Sequence, residues 1–312
     1  MAIEAQGLTR RFKGVEALKG IDIALEKGQS FALVGPDGAG KTTAIRILCG
    51  LLKPSSGRAL VFGSPPKDDR AKRRIGYLSQ RFSLYGDLSI DENIAFFAEI
   101  HGRRDYEKRR DRLLEFTRLK EFRGRQAGRL SGGMKQKLAL ACALIHEPEL
   151  LLMDEPTTGV DPVSRREFWS IVSELIHGGM TVLVTTPYLD EAERCGTVGL
   201  LNQGSFLDVD SPSAMKSGFR WKVIEVVCGD TRRAARAIAE GGRLEGVQAF
   251  GDRLSVLAGD EAQARSLIAE RLGRAGIAAA SVRLAAPSLE NVFMALLGDK
   301  AAKAAGKGAT PT

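Results

Sequence analysis

The stretch Ser30 to Leu48, SFALVGPDGAGKTTAIRIL, decides the fold. Ser30 to Val34 is a short apolar run ending at Gly35, and beyond the glycine-rich turn Ile45, Leu48, Cys49 and Leu52 recur at i, i+3, i+4 and i+7, the spacing of one helix face. Strand, turn and helix follow one another. The turn itself, GPDGAGKT from Gly35 to Thr42, matches GxxxxGK[ST] in the place where that motif works, behind a buried strand and at the start of a helix. Gly35, Gly38 and Gly40 carry no Cβ to hold a phosphate chain off the backbone. Pro36, Asp37 and Ala39 complete the loop, and Thr43 continues into the helix. Backbone N–H groups and the positive helix end face the anion, Lys41 reaches the β and γ phosphates, and Thr42 can hold Mg²⁺ through its hydroxyl.

Outward from this unit, β-rich runs alternate with helix-period runs over about the first 210 residues, the order of an α/β sheet packed by helices. Further strands are expected at Ala59 to Phe62, Ile75 to Leu78, Leu150 to Met153, Thr181 to Thr185 and Val198 to Leu201. Helices are expected at about 91–101, 105–119, 132–146, 162–177 and 187–194. Residues 81–130 read as a mostly helical lobe inserted between two strands. After Pro212 the order becomes β, α, β, β, α, β, with a weak strand near Val247 to Phe250, which suits a small ferredoxin-like α+β domain. The expected division is a phosphate-binding α/β domain at 1–218 and an accessory domain at 219–298 closed by a helix from Ser288 to Leu297. A tail at 299–312, rich in Ala, Gly and Lys, has little to bury and is expected to lack structure.

Composition bounds the rest. The chain has 312 residues, 44% hydrophobic and 27% charged, an ordinary folded balance for about two domains. The longest run without a charge, Leu175 to Leu189, contains Gly178, Gly179 and Pro187 and falls short of the roughly 18 apolar residues of a membrane span. The opening MAIEAQGLTRRF lacks the order of a secretory signal, so the cytosol is the expected location. Cys49, Cys142, Cys195 and Cys228 lie far apart with no CxxC spacing, as reduced core thiols do. Lys and Arg total 46 against 38 Asp and Glu, a net charge of +8. Ten basic and five acidic side chains fall between Arg103 and Arg125; a solvated face and a contact with a partner or lipid headgroups both fit this stretch.

Downstream, LLLMDEP places Asp154 and Glu155 at the end of an apolar strand, which a parallel sheet brings beside the phosphate loop. Asp154 would bind Mg²⁺ through water, and Glu155 can polarise the attacking water as general base. LSGGMKQK, Leu130 to Lys137, places Ser131 at the N-cap of a helix striped with Met134, Leu138, Ala141, Cys142 and Ile145. Gly132 and Gly133 leave the first N–H groups of that helix open to an anion. Asp161 in GVDP is a natural N-cap with Pro162 behind it.

Phosphate loop, LSGGMKQ, LLLMDEP and GVDP together resemble the nucleotide-binding subunit of an ATP-binding cassette (ABC) transporter, over about residues 2–210. The resemblance implies a P-loop NTPase cassette that binds ATP and Mg²⁺ and hydrolyses ATP. It implies a head-to-tail pair, each ATP held by the phosphate loop of one cassette and the LSGGM of the other. It further implies that Phe12 stacks on adenine, that Gln80 of GYLSQ senses Mg²⁺ and the attacking water, and that the Asp161 loop crosses the dimer interface. Residues 81–104, with the lobe that follows, resemble the surface that docks a coupling helix of membrane-spanning permease subunits, which implies a peripheral place on the cytoplasmic face of the membrane; no nucleic-acid partner is expected. The C-terminal part, ending APSLENVFMALLG, resembles the extension of drug, lipid and polysaccharide exporter ATPases, particularly the daunorubicin-resistance type, and favours export.

One position departs from the family. After TVLVTT the family places a histidine that contacts the γ-phosphate, and here the residue is Pro187, which offers neither imidazole nor N–H. Proline suits the first turn of a helix carrying Asp190 and Glu191, so the expected cost falls on hydrolysis and not on the fold. An importer subunit, a nonhydrolytic partner in a heterodimeric pair and a soluble ABC ATPase share the same cassette motifs.

Overall fold

The computed structural model describes residues 1–80, 84–240, 242 and 244–306. Residues 81–83, the start of the expected docking surface, and the last six residues of the expected tail lie outside the described residues. The chain divides into two compact units, Met1–Ser211 and Pro212–Thr312.

The first unit holds two sheets. Strands β1 (Ile3–Phe12), β2 (Val15–Leu25) and β4 (Ser56–Val61) form an antiparallel sheet in the order β2-β1-β4. The second sheet runs β5-β6-β7-β3-β8-β9, with β3 (Ser30–Val34), β5 (Ile75–Leu78), β6 (Leu150–Asp154), β7 (Thr181–Thr186) and β8 (Thr197–Asn202) parallel and β9 (Ser205–Asp210) antiparallel at the edge. The sequence reading contained neither β1 and β2 nor β9. The β1–β2 ladder shifts register between Ala5 and Leu8, between Leu8 and Thr9 and between Arg10 and Arg11, and each shift breaks the period-two alternation by which a strand is recognised.

Helix α1 (Lys41–Leu48) packs against strands of both sheets. Ile3, Leu8, Leu18, Ile21 and Leu25 from the small sheet share one buried cluster with Phe31, Leu33, Ile45, Leu48, Leu150 and Leu152, each such side chain contributing roughly 1.5–3 kcal/mol of burial. That core flanks the turn from β3 into α1. Two of its glycines are required by space: a Cβ at Gly35 would lie 2.1 Å from the Leu201 carbonyl oxygen, and one at Gly40 (φ +111°) 2.5 Å from the Ala17 carbonyl oxygen.

A short helix, α2 (Asp69–Lys72), precedes β5. Between β5 and β6, neighbours in the sheet, the chain leaves to build α3 (Ile90–Ile100), α4 (Glu107–Phe116) and α5 (Gly132–Leu144). Much of the basic stretch there is paired internally. Arg123 Nε lies 2.7 Å from Asp91 Oδ2, Arg110 Nε 3.3 Å from Asp111 Oδ1, and Arg103 Nη2 donates to the His146 carbonyl at 2.6 Å. The His101 and His146 rings stack face to face at 3.8 Å. Helices α6 (Pro162–His177) and α7 (Leu189–Ala192) follow β6 and β7.

The second unit contains α8 (Pro212–Ser217), which the sequence reading left with the first domain. It continues β10 (Lys222–Cys228), α9 (Thr231–Ala239), β11 (Gly246–Phe250), β12 (Arg253–Ala258), α10 (Glu261–Arg274), β13 (Ala279–Ala285) and α11 (Leu289–Gly306). The antiparallel order β11-β12-β10-β13 is that of a ferredoxin-like domain. Ile224, Val226, Leu254 and Val256 bury one sheet face against Ala234, Ile238, Ala264 and Ile268 of α9 and α10. Helix α11 runs past Leu297 to Gly306, so residues 299–306 are helical where the sequence reading expected no structure: Ala and Lys need no burial to continue a helix already started.

Candidate functional site

The loop Gly35 to Gly40 closes on itself through Ala39 N donating to the Pro36 carbonyl at 3.1 Å, and Gly204 N donates to the Ala39 carbonyl at 2.9 Å. Gly38 sits at φ +79°, and Gly40 caps α1 with no side-chain acceptor on the first N–H groups. The result is a glycine cradle at a helix start whose donors are free to meet an anion. Asp37 points to solvent, whereas Lys41 is 3% exposed. Its Nζ donates to the carbonyls of Gly35 at 2.7 Å and Pro36 at 3.1 Å and lies 3.1 Å from Glu155 Oε1.

Thr42, the next residue of α1, donates from Oγ1 to Asp154 Oδ1 at 3.1 Å. Strand β7 lies between β3 and β6, and its Thr185, opposite Asp154 in register, donates to the same oxygen at 2.7 Å. The other oxygen, Oδ2, is buried and has no hydrogen-bond partner among the described residues. Burial pushes the Asp154 carboxyl above the usual carboxylate range, and the two threonine hydroxyls only partly oppose that shift. A hydroxyl and a carboxylate with an open lone pair are hard oxygen donors of the kind Mg²⁺ takes together with phosphates and water, so the residues present fit the ion.

Glu155 adopts φ +48°, a left-handed conformation that costs a non-glycine residue on the order of 1 kcal/mol. Thr185 holds it there, its carbonyl and its hydroxyl both accepting from Glu155 N at 3.0 and 3.1 Å. Gln80 Nε2 donates to Glu155 Oε2 at 3.0 Å, and Thr158 Oγ1 donates to the same oxygen at 3.3 Å. Lys41, Thr42, Gln80, Asp154 and Glu155 are thus one connected cluster. Thr185, unmarked by sequence reasoning, touches both acids; its only signal was its place opposite them in the neighbouring strand.

The remaining candidates stand apart from this cluster. The Phe12 ring, at the end of β1, is 41% exposed with the Arg10 guanidinium 4.5 Å above it, so it is not a core residue. Ser131 Oγ accepts from Met134 N at 3.3 Å and caps α5. Nothing lies within 4 Å of a Cβ placed at Gly132, but at Gly133 it would fall 2.4 Å from Ser164 Cβ. Packing of α5 on α6 therefore requires Gly133 to lack a side chain. Asp161 Oδ1 caps α6 through Val163 N and Ser164 N at 3.1 and 3.0 Å, and these bonds hold its carboxyl below the usual range. Pro187 lies before the Tyr188 N-cap of α7 and outside the helix; the expected first-turn placement does not hold, because the helix starts two residues later, at Leu189.

Known proteins are similar to this chain in sequence and fold. The ABC transporter family profile matches residues 18–158. The daunorubicin resistance ATP-binding protein DrrA3 of Streptomyces coeruleorubidus is 37% identical over 305 residues, 96% of either chain. The probable multidrug ABC transporter ATP-binding protein YbhF of Escherichia coli (strain K12) is 50% identical over 219 residues, 68% of this chain; the chain spans only 38% of its length. Among solved structures, the dimeric bacterial ABC transporter cassette MJ0796 superimposes with a TM-score of 0.60 at 27% identity, covering 67% of this chain and 98% of that one. With its phosphate cradle, its paired acids and a relative matched along nearly its whole length, the chain belongs to the ABC transporter family, among its ATP-binding proteins.

Proposed function

We infer that the chain is the ATP-binding subunit of an ABC exporter, coupling ATP binding and hydrolysis in a head-to-tail cassette pair to separate membrane-spanning permease subunits. It would work peripherally at the cytoplasmic face of the membrane. The observation that carries the reading is the cluster around Asp154: one oxygen held by Thr42 and Thr185, the other buried and open, with Glu155 and Lys41 in contact beside it. The resistance role in the name of DrrA3 and the multidrug transporter in that of YbhF support export.

The chemistry follows from the residues. The Gly35–Gly40 backbone and Lys41 would bind the phosphate chain, and Thr42 and Asp154 would hold Mg²⁺, which would offset phosphate charge. Glu155 accepts the proton of the attacking water while Gln80 and Thr158 fix its carboxylate. Phe12, exposed at a strand end, offers a ring for the adenine. Ser131, Gly132 and Asp161 face outward and complete the site of a second cassette. At Pro187 no side chain reaches the γ-phosphate, so this chain's own site is the weaker of a pair whenever the second cassette carries a histidine there.

The test is Glu155→Gln with saturating ATP and Mg²⁺. Retained nucleotide and a dimer by light scattering are expected, since the water-polarising carboxylate is lost and the phosphate contacts are not. A chain that stays monomeric overturns the reading. Copurification from membranes with mass spectrometry identifies the permease; copurification with ribosomes instead would favour a soluble ABC ATPase.

A further inference from the structure

Arg165 stands in the first turn of α6, its backbone N donating to the Asp161 carbonyl at 2.9 Å. Its guanidinium reaches across to the segment after β7. Nε lies 2.7 Å from Glu191 Oε1, Nη2 donates to Asp190 Oδ1 at 2.6 Å, and the plane sits 4.2 Å above the Tyr188 ring. Glu191 is 1% exposed. It accepts two further bonds, from the Thr157 hydroxyl on Oε1 and the Thr186 hydroxyl on Oε2. Thr186 Oγ1 also accepts from Tyr188 N at 3.1 Å, bridging over Pro187.

Four pieces of chain therefore meet on one buried carboxylate: the loop after Glu155, the residue before Pro187, helix α7 and the first turn of α6. A buried charge of this kind is tolerated only while its donors are complete. Arg165 is the only cation paired with it among the described residues. Because Asp161 caps the turn that Arg165 anchors, any tilt of that turn carries the Asp161 loop with it. Pro187 has neither an N–H nor a polar side-chain group with which to hold its own position, and the contacts of Thr186, Tyr188, Asp190 and Glu191 do so instead.

We propose that Arg165 is a positioning residue which, by locking the first turn of α6 onto residues 186–191 through Glu191, presents the Asp161 loop to a second cassette in one fixed place. The proposal rests on the reading above that two cassettes pair head to tail. An ordinary surface ion pair would be screened and dispensable; the Glu191 half of this one is buried, and its orientation sets a segment on either side of the site.

The experiment uses the full chain carrying Glu155→Gln, alone and with Arg165→Ala or Arg165→Lys. Dimerisation is followed by light scattering with saturating ATP and Mg²⁺, and ATP affinity is measured at a dilution where every variant is monomeric. With Arg165→Ala, the protein concentration for half-dimerisation should rise at least about tenfold, while monomer affinity stays within about twofold of the parent. Arg165→Lys should recover part of the loss, since it restores a charge to Glu191 without the planar fork that also holds Asp190. Dimerisation of Arg165→Ala at the parent concentration overturns the proposal, as does a parallel fall in monomer ATP affinity, which would make the contact a general prop of the fold. Should Arg165→Ala fail to fold, Arg165→Lys and Asp190→Asn decide by the same two measurements. A Glu155→Gln parent that never dimerises overturns this proposal and the pairing beneath it together, whereas a dimeric parent with an indifferent Arg165 overturns this proposal alone.

Discussion

Lys41 Nζ lies 3.1 Å from Glu155 Oε1, both side chains buried, so the cation that meets phosphate and the carboxylate that meets water hold each other. A phosphate entering the cradle competes with Glu155 for Lys41. Charge-assisted hydrogen bonds here are worth roughly 1.5–3 kcal/mol each, so Lys41→Ala should weaken ATP binding by about ten- to a hundredfold. Glu155→Gln should bind ATP at least as tightly as the parent. Equilibrium binding checks both, and unchanged affinity in Lys41→Ala would remove the site assignment.

Burying the Asp154 carboxylate carries a cost that raises its pKa. Because the folded pKa lies above the unfolded one, the folded chain holds the proton more tightly, and stability is lost as pH rises through the carboxylate range. Asp154→Asn removes that cost and keeps an oxygen for Thr42 and Thr185. The variant should melt higher than the parent and lose Mg²⁺-dependent turnover. A lower melting temperature would show that the carboxylate stabilises the fold.

His146 is neutral in the folded chain: burial first, then His101 beside it, lowers its pKa to about 4 from 6.5. Its folded pKa is depressed, so the folded chain binds fewer protons than the unfolded one between pH 6.5 and 4. Stability should be full above 6.5 and fall as the solution is acidified toward 4. His146→Gln, which can still donate to the Ile75 carbonyl that Nε2 meets at 3.0 Å, should flatten that slope in thermal melts; an unchanged slope would assign the acid sensitivity elsewhere.

Pro187 separates two kinds of pair. In a homodimer both sites lack the histidine, so Pro187→His should raise turnover by roughly tenfold, the equivalent of about 1.4 kcal/mol in the transition state. In a heterodimer with a histidine-bearing cassette, Pro187→His should change little, while Ser131→Arg should cripple turnover by placing a bulky cation over the partner's site. Robust activity of the purified chain alone, indifferent to Pro187→His, would show that this position does not limit hydrolysis.

The chain divides between Ser211 and Pro212, and each side has its own buried cluster. A chain ending at Ser211 should fold, melt cooperatively and keep the ATP affinity of the whole. Insolubility or lost affinity would mean that the two units share their stability.

The cassette was legible in the sequence wherever a local string does local work. GPDGAGKT needs only its neighbours to become a glycine turn before a helix; LLLMD reads as a buried strand by apolarity alone; Asp161 and Ser131 cap the helices that follow them because a cap is made within three residues. The β1–β2 ladder was illegible, since its register shifts cancel the alternation that marks a strand. The required smallness of Gly133 was illegible too, because the atom it avoids belongs to Ser164 on another helix.

Sequence by itself determined the phosphate loop, the acidic pair, the alternation of strand and helix that follows the loop and the missing imidazole at 187, all carried by residue type and spacing along the chain. Tertiary structure alone decided that Thr185 would bind Asp154 and Glu155, that Glu155 would be held at φ +48°, and that Glu191 would gather Thr157, Thr186 and Arg165. These are contacts between segments far apart or differently oriented. Their partners are chosen by strand order and by which polar groups the closing core leaves to satisfy one another, because a buried charge or hydroxyl must find a partner wherever packing has placed it.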